Sequence, residues 1–183
     1  MARLRYTAIC SLDGYVADAE GGFGWAAPDE ALHRLVNDLE REVGTYLCGR
    51  RDYEVMKVWE TMPGDVPGPE GEYARIWRAA EKVVYSTTLE EVSTARTRLE
   101  SSFDPVAVEA LLADSALDVG IGGPTLAAEA FRAGLVDEVH LFLHPVLVGG
   151  GLRALPDEVR LDLDLLAADT VGEVVHLHHR VRR

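Results

Sequence analysis

Two junctions in the sequence carry the residue types that hold phosphate. In Leu47-Cys48-Gly49-Arg50-Arg51-Asp52 a glycine follows an apolar run directly. It permits close approach to the backbone, and a helix starting there would offer unpaired N–H groups. Arg50 and Arg51 add positive charge, although a tight turn with two solvated arginines would read the same way. In Val119-Gly120-Ile121-Gly122-Gly123-Pro124-Thr125-Leu126 a glycine pair leaves an apolar run. Pro124 suits the first helical position, and Thr125 can donate to an oxygen. The spacing is neither the dinucleotide fingerprint nor a P-loop, and glycine pairs often end strands. Two such junctions on one sheet nevertheless point to a dinucleotide. Ser86-Thr87-Thr88, a third strand end, either bonds a ribose or phosphate or caps the turn at Leu89-Glu90-Glu91.

Other reactive side chains read more plainly. Glu30 reads as a first-turn acid favoured by the helix dipole. His176 and His178 share a strand face, as do His140 and His144. No nearby carboxylate completes an obvious site for the first pair, so it reads as a solvated strand. The second reads as packed or hydrogen-bonded, and no metal site is expected. Cys10 and Cys48 lie in apolar runs and read as small buried hydrophobes, not a disulfide. Trp59 and Trp77 fall at core-like helical positions or line a flat-ring pocket. Gly149-Gly150-Gly151 reads as turn geometry.

Positioning these groups requires alternating elements. Arg3–Cys10 reads as a strand, Ser11–Gly14 as a turn and Tyr15–Ala17 as extended chain, followed by a flexible loop from Ala19 to Gly24. Pro28-Asp29-Glu30 opens a helix with Leu32, Leu35, Val36 and Leu39 on one side, ended by Gly44. A strand over 45–48, a helix from 49 to about 58, a loop from Met62 to Gly71, a helix over 73–80 and a strand over 82–86 follow. Thr97–Glu100 is a short edge strand. Helices over 105–113 and 124–133 alternate with strands over 117–121 and 136–145, and two antiparallel strands, 162–168 and 173–182, end the chain. This order predicts one α/β domain over 1–183: a three-layer fold with a largely parallel central sheet, helices on both faces and an antiparallel C-terminal edge. Ligands are expected at the strands' carboxyl ends.

The chain carries 18 basic and 31 acidic side chains, a net charge of −13. That field repels nucleic acid and anionic lipid, and an anionic cofactor would need local positive charge or helix N-termini. The apolar runs are short and flanked by charge, so no membrane segment is expected. The first residues read as a strand rather than a signal peptide, which makes a cytoplasmic location the expectation.

Ser11-Leu12-Asp13-Gly14-Tyr15-Val16-Ala17 resembles a signature of the dihydrofolate reductase-like superfamily, in particular the bacterial group related to the reductase domain of the riboflavin-biosynthesis deaminase-reductase. Gly49-Arg50 to Glu54, Val83–Ser86, Gly122-Gly123, Gly134–Glu138 and Pro145–Gly151 follow in the family's order and extend the resemblance over nearly the whole chain. The resemblance implies an NADPH-dependent oxidoreductase acting on a small pterin- or pyrimidine-like heterocycle. The alternative is a nucleotide-binding module of the same fold with little catalysis.

By the resemblance, Gly49, Arg50 and Arg51 meet the cofactor phosphates, and Ser86, Thr87 and Thr88 the adenosine ribose or its 2′-phosphate. Gly122 and Gly123, joined in the family by a cis peptide, pass beneath the pyrophosphate, with Pro124, Thr125 and Leu126 opening the next helix. Ile9 and Val16 flank the nicotinamide. Asp13 stands near the substrate mouth, and Glu30, five residues after Trp25, supplies a carboxylate for catalysis. Related proteins pair, so a homodimer is plausible. Two positions depart from the pattern: Asp52 stands where a threonine commonly touches phosphate, and Thr87 where an arginine is common.

Overall fold

The computed structural model describes residues 1–63 and 65–183. Its centre is an eight-stranded sheet. Strand β1 (Leu4–Ser11) lies in the middle and is mostly buried along its length, as a strand covered on both faces must be. After the short β2 (Tyr15–Ala17) and helix α1 (Glu30–Glu40), the chain forms β3 (Val43–Gly49). Helices α2 (Arg50–Met56), α3 (Val58–Thr61) and α4 (Pro69–Ala79) lead to β4 (Glu81–Tyr85) and the edge strand β5 (Thr97–Glu100). Helix α5 (Pro105–Asp114), β6 (Asp118–Gly122), α6 (Pro124–Arg132) and β7 (Glu138–His144) return the chain to the centre. A two-residue β8 (Leu152–Arg153) pairs with β2, and β9 (Leu163–Val171) and β10 (Val174–Val181) finish the sheet.

The strand order is β5-β4-β3-β6-β1-β7-β10-β9. All neighbours from β5 to β7 are parallel, while β10 is antiparallel to both β7 and β9. The expected sheet with its antiparallel edge is therefore present. Alternating side chains divide the core between the two faces. Leu47 and Val83 join β1 and helices α5 and α6 in one cluster, through Val108, Leu112, Ala127 and Phe131. Tyr46, Cys48 and Val84 join Tyr73 and Trp77 of α4 in another. Leu32 of α1 packs on Phe142 in a third.

Several boundaries differ from expectation, each for a local reason. Helix α1 ends at Glu40 rather than at Gly44, which already belongs to β3. Asp29 caps its start, accepting from the Leu32 N–H at 2.8 Å. The second expected helix breaks at Lys57 into α2 and α3. Residues 69–71 of the expected loop are the first turn of α4, where Pro69 occupies a position whose N–H needs no partner; Gly64 of that loop lies outside the described residues. The loop from Ala19 to Gly24 is tied down by Asp18, whose Oδ1 accepts from the N–H groups of Glu20 (3.0 Å) and Gly22 (2.7 Å). Cys10 and Cys48 are buried free thiols, as expected. Among the described residues, no helix is long and apolar enough to cross a membrane.

Candidate functional site

The parallel strands deliver Ser11, Gly49, Tyr85, Gly122 and His144 to one end of the sheet. There Gly123 has φ +79°, a left-handed conformation that favours glycine. It turns the chain from β6 into α6, whose first turn has no side-chain cap. Pro124 has no N–H to satisfy, and those of Thr125 and Leu126 are at the uncapped end. The side chain of Leu126 is buried in the core. The Gly122–Gly123 peptide is trans, contrary to the resemblance, since no peptide bond among the described residues is cis.

A cavity of about 300 Å³ lies between Pro124 and Thr125 and the segment from Gly151 to Asp157. Arg153 lines it, with its guanidinium over the ring of Tyr15 (5.4 Å) and its Nε 3.6 Å from Asp157. Several ties fix this segment. The Tyr6 hydroxyl donates to the Ala154 carbonyl at 2.5 Å, the Ala154 N–H to Gly14 at 2.9 Å and the Leu12 N–H to Val146 at 2.9 Å. Arg153 was missed in the sequence because it lies beyond the triple glycine and next to Gly14 and Tyr15 only in space.

Asp13 belongs to the same support. Its carboxylate accepts from the N–H groups of Val148 (3.2 Å) and Gly149 (2.8 Å), clamping the glycine turn. Hydrogen bonding, led by Ser11, holds its pKa below the ordinary value, so it is present as a carboxylate. Glu30 faces solvent on α1 and pairs with Arg34 at 2.5 Å, an i,i+4 contact on the helix surface. That is the helix-dipole arrangement rather than a site carboxylate.

At the neighbouring junction, Gly49 caps α2 in extended geometry. Arg50 pairs with Glu54 at 3.0 Å, and Arg51 is exposed. Ser86 caps its turn: its Oγ accepts from the N–H groups of Thr88 (3.1 Å) and Leu89 (3.0 Å). Thr87 and Thr88 remain exposed. Ile9 and Val16 are half-buried on different clusters, Ile9 beneath α1 and Val16 against the α5–α6 side.

Asp52 is the unusual group. Its side chain abuts the glycine turn: a methyl at Gly122 would overlap Asp52 Oδ2, and one at Gly123 would lie 3.1 Å from Asp52 Cβ. Loss of solvation pushes its pKa up to about 6, against a smaller opposing effect from the Cys48 thiol.

Two polar groups not expected at this end are His144 and Trp25. His144 is buried, its ring edge-on to Trp25 at 6.2 Å, and neither His144 Nε2 nor Trp25 Nε1 has a protein partner. Burial lowers the His144 pKa more than Asp29 raises it, leaving a neutral imidazole. Trp77 is core, stacked on Tyr46 at 5.4 Å, while Trp59 packs on Tyr73 at 4.9 Å.

The C-terminal histidines do not form a solvated strand. His176 is buried and stacks on Phe142 (4.5 Å), and His140 Nδ1 lies 3.0 Å from His176 Nε2. Glu138, from the adjacent strand, brings a carboxylate within 3.2 Å of His178 Nε2 and 4.0 Å of His140 Nε2. Cross-strand pairing, invisible in sequence spacing, brings the three together. Arg3 (2.9 Å) and Arg180 (3.5 Å) already hold Glu138, and His140 and His178 stack face to face at 4.0 Å. The Nε2 atoms of both histidines face the same Glu138 oxygen, in a cluster already neutralised by two arginines.

A family model, the RibD C-terminal domain, matches residues 2–177. The chain belongs to that family. A curated relative is the uncharacterized protein YyaP of Bacillus subtilis (strain 168). It is 26% identical over 167 residues, covering 90% of this chain and 87% of YyaP. Among solved structures, a putative riboflavin biosynthesis protein from Shewanella sp. PV-4 superposes with a TM-score of 0.78 at 21% identity, covering 100% of both chains. A pyrimidine reductase-like protein from Corynebacterium diphtheriae gives 0.67 at 18%, covering 100% of this chain and 92% of that one. The Thermotoga maritima diaminohydroxyphosphoribosylaminopyrimidine deaminase/5-amino-6-(5-phosphoribosylamino)uracil reductase gives 0.68 at 16%; the domain spans 99% of itself and 57% of that two-activity chain. At these identities the structural likenesses establish the fold.

Proposed function

We propose that this RibD C-terminal domain is an NADPH-dependent reductase of a small pyrimidine- or pterin-like heterocycle. The observation that carries the reading is the cleft at the carboxyl end of β6. There an uncapped helix start after a left-handed glycine faces Arg153 across a cavity of about 300 Å³. The same lining holds Asp157 beside Arg153, so in a chain of net charge −13 it is the arginine and the uncapped helix start that suit an anion. The family, and solved relatives named for riboflavin biosynthesis and pyrimidine reduction, support the same reading.

In this reading Gly122, Gly123, Thr125 and Arg153 hold the cofactor phosphates, and Thr87 and Thr88 the adenosine ribose. NADPH, when bound, supplies a hydride. The chain's own work is orientation and exclusion of water. Asp13 holds the turn at Val148 and Gly149, and Tyr6 anchors the segment bearing Arg153. His144 Nε2 and Trp25 Nε1, at the same end of the sheet, are buried without a protein partner, and a heterocycle that opened this contact would supply one. The further elements of this reading are a small-molecule substrate, no nucleic-acid or membrane partner, and pairing of two copies through the open edge of β9.

One observation favours a second reading, a nucleotide-binding module without catalysis. Glu30 is paired on the helix surface and Asp13 clamps a turn, so neither is placed as a proton donor. The deciding test follows NADPH absorbance while the protein is offered aminouracils, other pyrimidines and pterins. Substrate-dependent oxidation is expected; NADPH binding without oxidation of any of them favours the module.

A further inference from the structure

Asp52 is a carboxylic acid built into the place where the proposed cofactor's phosphates approach the backbone. It sits in the first turn of α2 and abuts both Gly122 and Gly123. No ion pair neutralises it among the described residues. The titratable groups within reach are the Cys48 thiol on β3, the Tyr6 hydroxyl on β1, the Tyr73 hydroxyl on α4 and the Glu40 carboxyl on α1. Each is neutral or acidic. From α6 the facing residues, Pro124 to Leu126, carry no charge.

The nearby cations are committed elsewhere or exposed. Arg50 holds Glu54, and Arg51 points to solvent. Lys82 of β4, which acts on Cys48, donates to the Trp77 and Ala80 carbonyls at 2.9 and 3.0 Å. Arg153, the cation assigned to the phosphates, lies across the cleft from α6 and already pairs with Asp157 at 3.6 Å. An ionised Asp52 would add a second negative charge on the glycine side, and like charges at close range disfavour each other strongly where water is partly excluded.

We propose that Asp52 makes dinucleotide binding proton-linked: its protonated form admits the cofactor's phosphates at the Gly122–Gly123 turn, and its carboxylate opposes them. The inference rests on the cofactor reading above. A dinucleotide would bind the neutral form preferentially and take up a proton on binding. Since this carboxyl titrates near pH 6 in the free protein, affinity falls as pH rises through that region.

The test is calorimetric titration of the whole chain and of Asp52→Asn with NADPH and with NADH at pH 5, 6, 7 and 8. The 2′-phosphate of NADPH ionises in the same range, so the difference between the two proteins at each pH isolates Asp52. At pH 5 their affinities should nearly coincide. At pH 7 the variant should bind about tenfold more tightly, the ratio expected one pH unit above the titration point. Buffers of different ionisation enthalpy should show more proton uptake by the natural chain than by the variant. Asp52→Thr, which keeps a short polar side chain, should behave as Asp52→Asn does.

Equal affinities at every pH, or weaker binding by both variants, would overturn the proposal while leaving the cofactor reading intact. Binding of neither nucleotide by any of the three proteins would overturn the cofactor reading, and this inference with it.

Discussion

At the scale of single residues, the site is a contest between charges. Both arginines have an acidic partner four residues on, Arg153 in Asp157 (3.6 Å) and Arg50 in Glu54 (3.0 Å), but only Arg153 lines the cleft, where it favours an anion. A charge-assisted contact to phosphate is worth ~1.5–3 kcal/mol. Arg153→Ala should therefore weaken NADPH binding about tenfold or more, and Arg50→Ala by less; fluorescence titration of both variants checks the order. Asp52 also has a consequence for stability without ligand. Its pKa rises from 3.8 to about 6 on folding, so the folded chain holds this proton more tightly than the unfolded one. Stability is lost as pH rises from about 4 to about 6, and the penalty is complete above that range. Asp52→Asn should thus stabilise the fold at pH 7 by roughly 1–2 kcal/mol, after allowing for the lost helix-dipole contact, and add nothing near pH 4. Urea unfolding at the two pH values measures it.

At the scale of elements, the site depends on a segment that is barely regular structure. Strand β8 has only two residues, yet it carries Arg153 and is held to β2 and to Tyr6. Gly151 has φ +132°, and a side chain there would run into the Ala17 carbonyl. Gly151→Ala should cost roughly 2–4 kcal/mol in urea unfolding and weaken NADPH binding as the arginine shifts. The sequence made the long elements legible, because β1, β3, β6 and β7 are apolar and α1 has a clear apolar side. The strand ends carrying Gly49, Ser86 and Gly122 were legible for the same reason. It hid whatever depends on long-range pairing: the approach of Arg153 to α6, the clamp between Asp13 and Gly149, and the contact of Glu138 with the histidines of β10. Glycines at 149 and 151 suggested a turn, but not what that turn would bring to the site. Asp52 was visible as a departure; that its carboxyl lies against the glycine pair required coordinates.

At the scale of the whole molecule, four buried histidines set the response to acid. His33, His140, His144 and His176 are each lowered chiefly by burial, His140 to about 2. The unfolded chain takes up protons near pH 6.5 that the fold refuses, so stability is full above that pH and falls as pH drops below it. The loss is at most ~1.4 kcal/mol per pH unit for each histidine. Asp52 and Glu40, both raised, act in the opposite direction. Because the histidines outnumber them, the urea midpoint should fall from pH 7 to pH 5, and His140→Gln should flatten that fall. A midpoint constant across this range would contradict the buried neutral stack between β7 and β10.

The cleft between α6 and Arg153 is tested most directly by calorimetric titration of the purified chain with NADPH at pH 6, beside Arg153→Ala. Saturable one-to-one binding, weakened about tenfold or more in the variant, is the predicted result. Absence of binding, or binding that Arg153→Ala leaves unchanged, would contradict the assignment of this cleft to a dinucleotide.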